Sequence, residues 1–209
     1  MAIQIEHPCV QHKLGIIREA DVGHKRFREL AKEITQFICY EALQNIKTKE
    51  VSVQTPVAMA TCRQIDTDIV VVPILRAGVG MLDGILELVP TARVGFVGLY
   101  RDEETALPVT YYERFPPQIV GGTCIIIDPM LATGGSTSAA IDLLKERGAD
   151  NIIVICIVTC PEGIELVETE HPDVKIYAAA IDKELNDKKY IVPGLGDAGD
   201  RLFGTSHME

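Results

Sequence analysis

The sequence predicts an α/β protein built on a doubly wound parallel sheet, and three observations carry the prediction. Residues 69–75, 125–127, 151–159 and 174–181 are apolar, largely β-branched runs without polar alternation, as strands buried on both faces must be. Between them lie stretches whose apolar residues recur at helical spacing, so strand and helix alternate along the chain. The junctions from strand to helix at 76–80 and 133–137 are short and rich in glycine or hydroxyl residues.

Taken in order, residues 1–23 read as a mixed polar arm. His7, His12 and His24 lack the i, i+4 spacing of a helical metal pair and read as surface or hydrogen-bonding histidines. Residues 24–46 place Phe27, Leu30, Ile34, Phe37 and Ile38 among charged neighbours, which makes a long amphipathic helix. Val51, Val53 and Thr55 alternate as a short strand that Pro56 ends. The run 69–75 is the first central strand, Arg76 to Gly80 turn tightly, and Met81, Leu82, Ile85, Leu86 and Val89 form a helix stopped by Pro90. Residues 93–99 are the next strand.

Composition then changes. Residues 100–118 are polar and proline-containing around a β-prone 109–112, which reads as a hairpin excursion able to act as a lid, with Arg101 as its working charge. Residues 125–127 form a buried strand with Asp128 at its end. Ala139, Ala140, Leu143 and Leu144 then fall at helical spacing, and Gly148 stops that helix. The strand at 151–159, a helix opened by Pro161 and Glu162, and the strand at 174–181 complete the core. The tail, 190–201, packs three glycines and two aspartates into a loop.

The chain has 209 residues and fits one domain. Its net charge of −10 argues against a broad nucleic-acid-binding face. Six cysteines show no Cys-x-x-Cys pair or zinc spacing and read mainly as buried reduced thiols. The opening residues are no signal peptide and no apolar run reaches about 18 residues, so cytoplasmic is the default location.

Two stretches carry chemistry. After Asp128, the turn supplies the hydroxyls of Thr133, Ser136 and Thr137 and the glycines Gly134 and Gly135, just before a helix. Backbone N–H groups, hydroxyls and a helix N-terminus converging on one point suit a phosphate. Asp128 repels an anion and is placed instead to accept hydrogen bonds from adjoining sugar hydroxyls. No Gly-Lys-Ser/Thr follows, so this is not a Walker loop, and it is no Gly-x-Gly-x-x-Gly turn. The tail loop is so poor in bulky side chains that its backbone can meet a small flat ligand. A pyrimidine edge alternates carbonyl and N–H groups as a peptide does, so peptide groups can match it.

The run Asp128, Pro129, Met130, Leu131, Ala132, Thr133, Gly134, Gly135, Ser136 resembles the phosphoribosyl-pyrophosphate (PRPP) loop of the type I phosphoribosyltransferase family. Pro129 replaces the second acidic residue of most relatives, which is characteristic of the uracil-using branch. Residues 75–78 resemble the pyrophosphate loop of that family, and 191–201 with 203–205 resemble the tail of its uracil enzymes. The likeness runs from His7-Pro8 to Phe203-Gly204-Thr205.

The resemblance implies a type I phosphoribosyltransferase-like core with a small hood and a β-hairpin arm. Within a single domain, 1–209, residues 1–50 would be an N-terminal arm and helix, 100–118 the hairpin arm that helps hold a dimer, and 182–205 the base-binding loop and hood. The implied reaction joins uracil to PRPP, giving uridine monophosphate and diphosphate in pyrimidine salvage. Residues 128–136 would hold the ribose 5-phosphate and hydroxyls, and Arg76 and Arg101 the pyrophosphate. Ile191, Gly196 and Ala198 would meet uracil through the backbone, with Asp197 on the ribosyl or metal side. No general base is assigned. Mg²⁺ would arrive mainly on PRPP. Some relatives respond to GTP, which is carried here as an effector, and a homodimer or higher homo-oligomer is the implied assembly. An RNA-binding regulator of pyrimidine genes and a nucleotide sensor with an inactive site are the alternatives.

Overall fold

The computed structural model describes residues 2–101 and 108–205, the side chains of Arg101 and Pro108 excepted. In chain order the elements are β1 (Ala2–Gln4), α1 (Pro8–Arg18), α2 (His24–Ala42), β2 (Thr48–Gln54), β3 (Met59–Ile65), β4 (Ile69–Leu75), α3 (Val79–Leu88), β5 (Arg93–Val94) and β6 (Phe96–Arg101). They continue with β7 (Pro108–Arg114), β8 (Thr123–Ile127), β9 (Met130–Leu131), α4 (Gly135–Glu146), β10 (Asn151–Thr159), α5 (Pro161–Glu170), β11 (Lys175–Ile181), β12 (Glu184–Leu185), β13 (Ile191–Val192) and α6 (Ala198–Phe203).

The main sheet runs β1-β11-β10-β8-β4-β6-β7, with β5 paired to β4 and β9 to β10. Every pairing in it is parallel except β6 with β7. Strand alternation divides the buried side chains into two cores. Val71, Ile125, Ile127, Ile155 and Ile157 face the side that carries Phe27, Leu30 and Ile34 of α2 and Leu202 of α6. Val70, Val72, Cys124, Ile126, Val154 and Cys156 face Ala140, Ile141 and Leu144 of α4 and Val167 of α5. A strand covered on both faces has no use for polar alternation, which is why these runs read as continuous apolar stretches.

The chain leaves β4 towards β6 on one side and leaves β8 towards β10 on the other. Between β4 and β8 the winding therefore reverses, and a crevice opens beyond their carboxyl ends.

Four expectations need correction. The N-terminal arm is structured: Ala2–Gln4 extends the sheet beside β11, and Pro8–Arg18 is a helix with Pro8 at its first turn and His7 as its cap. The strand at 48–54 pairs with an unforeseen partner, Met59–Ile65, as a separate two-stranded hairpin. The single strand foreseen at 93–99 is two strands broken at Gly95. The tail contains a short hairpin, β12–β13, and a helix begins at Ala198 where a loop to Arg201 was foreseen. The excursion at 100–118 has antiparallel strands β6 and β7, and its tip at 102–107 lies outside the described residues. Among the described cysteines, Cys39, Cys124, Cys156 and Cys160 are buried, whereas Cys9 and Cys62 are exposed thiols.

Candidate active site

Asp128 follows β8 directly, and its N–H donates to the carbonyl of Ile155 at 3.2 Å, so the sheet itself sets its position. One carboxylate oxygen accepts the Met130 N–H at 3.3 Å. Burial pushes the carboxyl up to about 7; the Met130 N–H opposes the shift, and the charge of Asp197 adds to it. The charge of Asp197 is felt at Asp128 although 69 positions of chain separate them, so the tail and the Asp128 loop lie in the same region.

The loop after Asp128 is tied down from behind. The carbonyl of Pro129 accepts the N–H groups of Ile157 and Val158 at 3.1 Å each. Leu131 C=O accepts the Thr159 hydroxyl at 2.9 Å, and Ala132 C=O the Cys160 thiol at 3.2 Å. Three carbonyls that would repel an anion are thus engaged on β10 and the start of α5. Gly134 has φ +86°, and a Cβ there would stand 3.0 Å from the Gly163 carbonyl oxygen, so a side chain is excluded by conformation and by space. No side chain caps α4, whose first turn offers its N–H groups beside the hydroxyls of Thr133 and Ser136.

Arg76 lies just beyond β4, across the crevice from Asp128. Its guanidinium donates to the Thr205 hydroxyl at 3.3 Å and stands 3.7 Å from the Asp200 carboxylate. It is mostly exposed and available to a ligand. Arg101 ends β6, and its side chain lies outside the described residues.

In the tail, Ile191 and Ala198 are buried while Gly196 and Asp197 are exposed, so at 196 only backbone is presented and at 197 backbone and a carboxylate. Asp197 caps α6 by accepting the Asp200 N–H at 2.9 Å. The sequence stretches for phosphate, pyrophosphate and base thus meet, apart from the Arg101 side chain. Sequence reasoning missed Arg18 and Asp182, which hold this tail in place. One signal was available: Asp182 follows the buried strand β11 just as Asp128 follows β8.

Asp128 and Asp197, near enough for the charge of one to act on the other, are the carboxylates that could face the water shell of a Mg²⁺. Pro129 takes the place of a further acid, and no group of three or more His, Cys, Asp or Glu side chains forms a metal cage among the described residues.

A doubly wound sheet with an acid, an anion loop and an arginine at its switch point is the architecture of a type I phosphoribosyltransferase. A Bacillus anthracis structure described as a hypoxanthine-guanine phosphoribosyltransferase shares that fold at a TM-score of 0.52 and 14% identity, covering 77% of this chain and 79% of its own. The AQ2163 protein of Aquifex aeolicus superposes with a TM-score of 0.94 at 38% identity, covering 99% of this chain and 100% of that one. The uracil phosphoribosyltransferase of Clostridium botulinum (strain Eklund 17B / Type B) is 53% identical over 204 residues, 97% of this chain and 98% of the relative. That of Dictyoglomus thermophilum is 54% identical over 206 residues, 98% and 100% of the two chains. The family model for uracil phosphoribosyltransferase matches residues 4–205. The chain belongs to the uracil phosphoribosyltransferase family, whose pentosyl transfer joins uracil to PRPP and releases diphosphate.

Proposed function

We propose that the crevice between the ends of β4 and β8 is where this chain makes uridine monophosphate, with the roles divided as follows. Residues 129–136 hold the 5-phosphate through N–H groups and hydroxyls. Asp128 accepts hydrogen bonds from the ribose hydroxyls, and its negative charge favours a sugar that turns positive as the bond to diphosphate breaks. Arg76 and Arg101 take up the charge on the departing diphosphate. Ile191, Gly196, Asp197 and Ala198 present the base, and their work is orientation of N1 against the sugar carbon.

Mg²⁺, when carried in on PRPP, neutralises the diphosphate; Asp197 and Asp128 are the residues that would face its water shell. The observation that carries this reading is Arg76, at the end of the strand that pairs with β8, donating to Thr205 and standing 3.7 Å from Asp200 in the tail.

Further parts of the reading are the segment 182–205 as a hood, residues 100–118 as a lid, a cytoplasmic location and GTP as an effector. No helix among the described residues is long and apolar enough to cross a membrane. A homodimer is also part of the reading. The β2–β3 hairpin supports it among the described residues, since Val57 and Met59 stand largely exposed on an arm outside the main sheet.

Uridine monophosphate formation from uracil, PRPP and Mg²⁺, with cytosine and purine bases as competitors and with and without GTP, tests the assignment. Sedimentation tests the dimer. Failure to form product from uracil, or equal use of another base, would overturn the base assignment.

A further inference from the structure

The loop that fronts the cleft with its backbone is gripped from behind by an ion pair. Arg18, in the last turn of α1, meets Asp182 through two parallel bonds, Nη1 to Oδ2 at 2.8 Å and Nη2 to Oδ1 at 2.7 Å. Asp182 is buried at the end of β11, with its own N–H donated to the Thr159 carbonyl at 2.7 Å. Both partners also hold one residue of the tail. Asp182 Oδ2 accepts the Gly194 N–H at 2.9 Å, and Arg18 Nη1 donates to the Gly194 carbonyl at 2.6 Å. Gly194 has φ +59°, and a Cβ there would collide with the Ile191 carbonyl oxygen. Each polar group of the Gly194 residue is therefore spoken for, and its side-chain position is closed.

A second arginine holds the other end of the same loop. Arg201 Nη1 donates to the Leu195 carbonyl at 2.8 Å, its Nη2 to the Glu19 carbonyl, and its guanidinium lies 4.5 Å over the Phe27 ring. Gly196 and Asp197 are thus strung between two points fixed by charged groups. A base read by peptide groups is read only as sharply as those peptides are held, because a glycine-rich segment has no side-chain packing to orient it.

We infer that Arg18 and Asp182 are positioning residues for base recognition: a partly buried ion pair 164 positions apart in sequence that sets the Gly194–Ala198 backbone at the geometry uracil requires. They need not touch substrate. The inference rests on the reading of residues 191–198 as the uracil site.

The test compares wild type with Arg18→Ala, Asp182→Asn and Arg18→Lys, varying uracil and PRPP separately. The Ala and Asn variants should raise the uracil KM about tenfold while the PRPP KM stays within about twofold. Arg18→Lys keeps the charge but lacks the fork, so it should recover part of the loss. An unchanged uracil KM, or equal rises in both KM values, would overturn the inference. Amide hydrogen exchange at Gly194 and Leu195 gives a readout that does not depend on the substrate assignment. Arg18→Ala, or Arg18→Lys where the Ala variant does not fold, should speed exchange there and leave the β8 and β10 amides unchanged. Unchanged exchange at Gly194 overturns the brace even if uracil proves not to be the base, and faster exchange in the variant, together with a wild type inactive with uracil, upholds the brace while the base assignment falls.

Discussion

The two halves of the cleft are made rigid in opposite ways. The side proposed for the phosphate is held by its immediate neighbour: carbonyls of Pro129, Leu131 and Ala132 bond to β10 and Cys160, and residues 125–127 of β8 pair with 153–155. The side proposed for the base is held differently. Its segment 194–198 is held by Arg18 and Arg201, and α6 behind it by Arg28, whose Nη1 reaches the Leu202 carbonyl at 2.7 Å. A loop rooted in a parallel sheet inherits the stiffness of the sheet, whereas this loop after the last core strand is clamped by long charged side chains, of which Arg18 and Arg28 come from the opposite end of the chain. Damage to the first should therefore spread into PRPP binding and folding, and damage to the second should stay with the base.

The largest expected effect is at Asp128. Asp128→Asn keeps the shape and removes the charge, so turnover should fall roughly hundredfold or more. Stability should move the other way. The folded carboxyl stands at about 7 against an ordinary 3.8, so ionising it disfavours the folded state. That cost is absent below about pH 3.8, accumulates as pH rises to about 7, and is full above it. Without ligand or metal, the Asn variant should therefore be the more stable protein at about pH 8, with the gap closing towards about pH 4. Paired kinetics and denaturant melts at both pH values measure this. Equal loss of turnover and stability would make Asp128 a structural residue.

A matched pair of glycine changes separates the two sides more directly. Gly134→Ala forces a φ of +86° on an alanine and crowds the Gly163 carbonyl, so the PRPP KM should rise about tenfold with the uracil KM little changed. Gly194→Ala forces φ +59° and collides with the Ile191 carbonyl, so the uracil KM should rise by a similar factor of about ten and the PRPP KM should not. Each substitution should also lower stability by about 1–3 kcal/mol. If both variants raise both KM values together, the cleft is one mechanical unit and the comparison fails.

The same contrast explains what could be read from the sequence. A strand buried on both faces, an acid at its end and a glycine turn are consecutive residues, so 124–141 and 151–159 were legible in their order. The helix at Pro8–Arg18 was missed although Val10, Leu14 and Ile17 stand at helical spacing, because three apolar positions among polar neighbours and a glycine make a weak signal in so short a stretch. Strand β3 has almost no buried face, so it carries no apolar alternation to detect. The clamp on the tail joins Arg18 to Asp182 and Arg201 to Phe27, pairs that no local period links. Propensity and pattern report what a residue does with its neighbours in sequence, and the base side is assembled from residues that are not neighbours.

The smallest effect tests a hydrogen bond that joins the two sides. The Arg76 guanidinium donates to the Thr205 hydroxyl at 3.3 Å, and that hydroxyl donates to Asp200 Oδ1 at 2.6 Å. Asp200 and Thr205 belong to α6 and the residues after it, on the base side, whereas Arg76 is assigned to the diphosphate. Exposed contacts of this kind contribute at most about 1 kcal/mol, so Thr205→Val should change the PRPP KM by no more than about fivefold. The direction is informative: releasing Arg76 from a competing partner should lower the PRPP KM, and losing a partner that aims Arg76 should raise it. In either case the uracil KM should stay fixed if the two sides are held independently. A uracil KM that moves in step with the PRPP KM would make the Arg76–Thr205–Asp200 contact a mechanical link between donor and base, and the independence argued from the two modes of support would be lost.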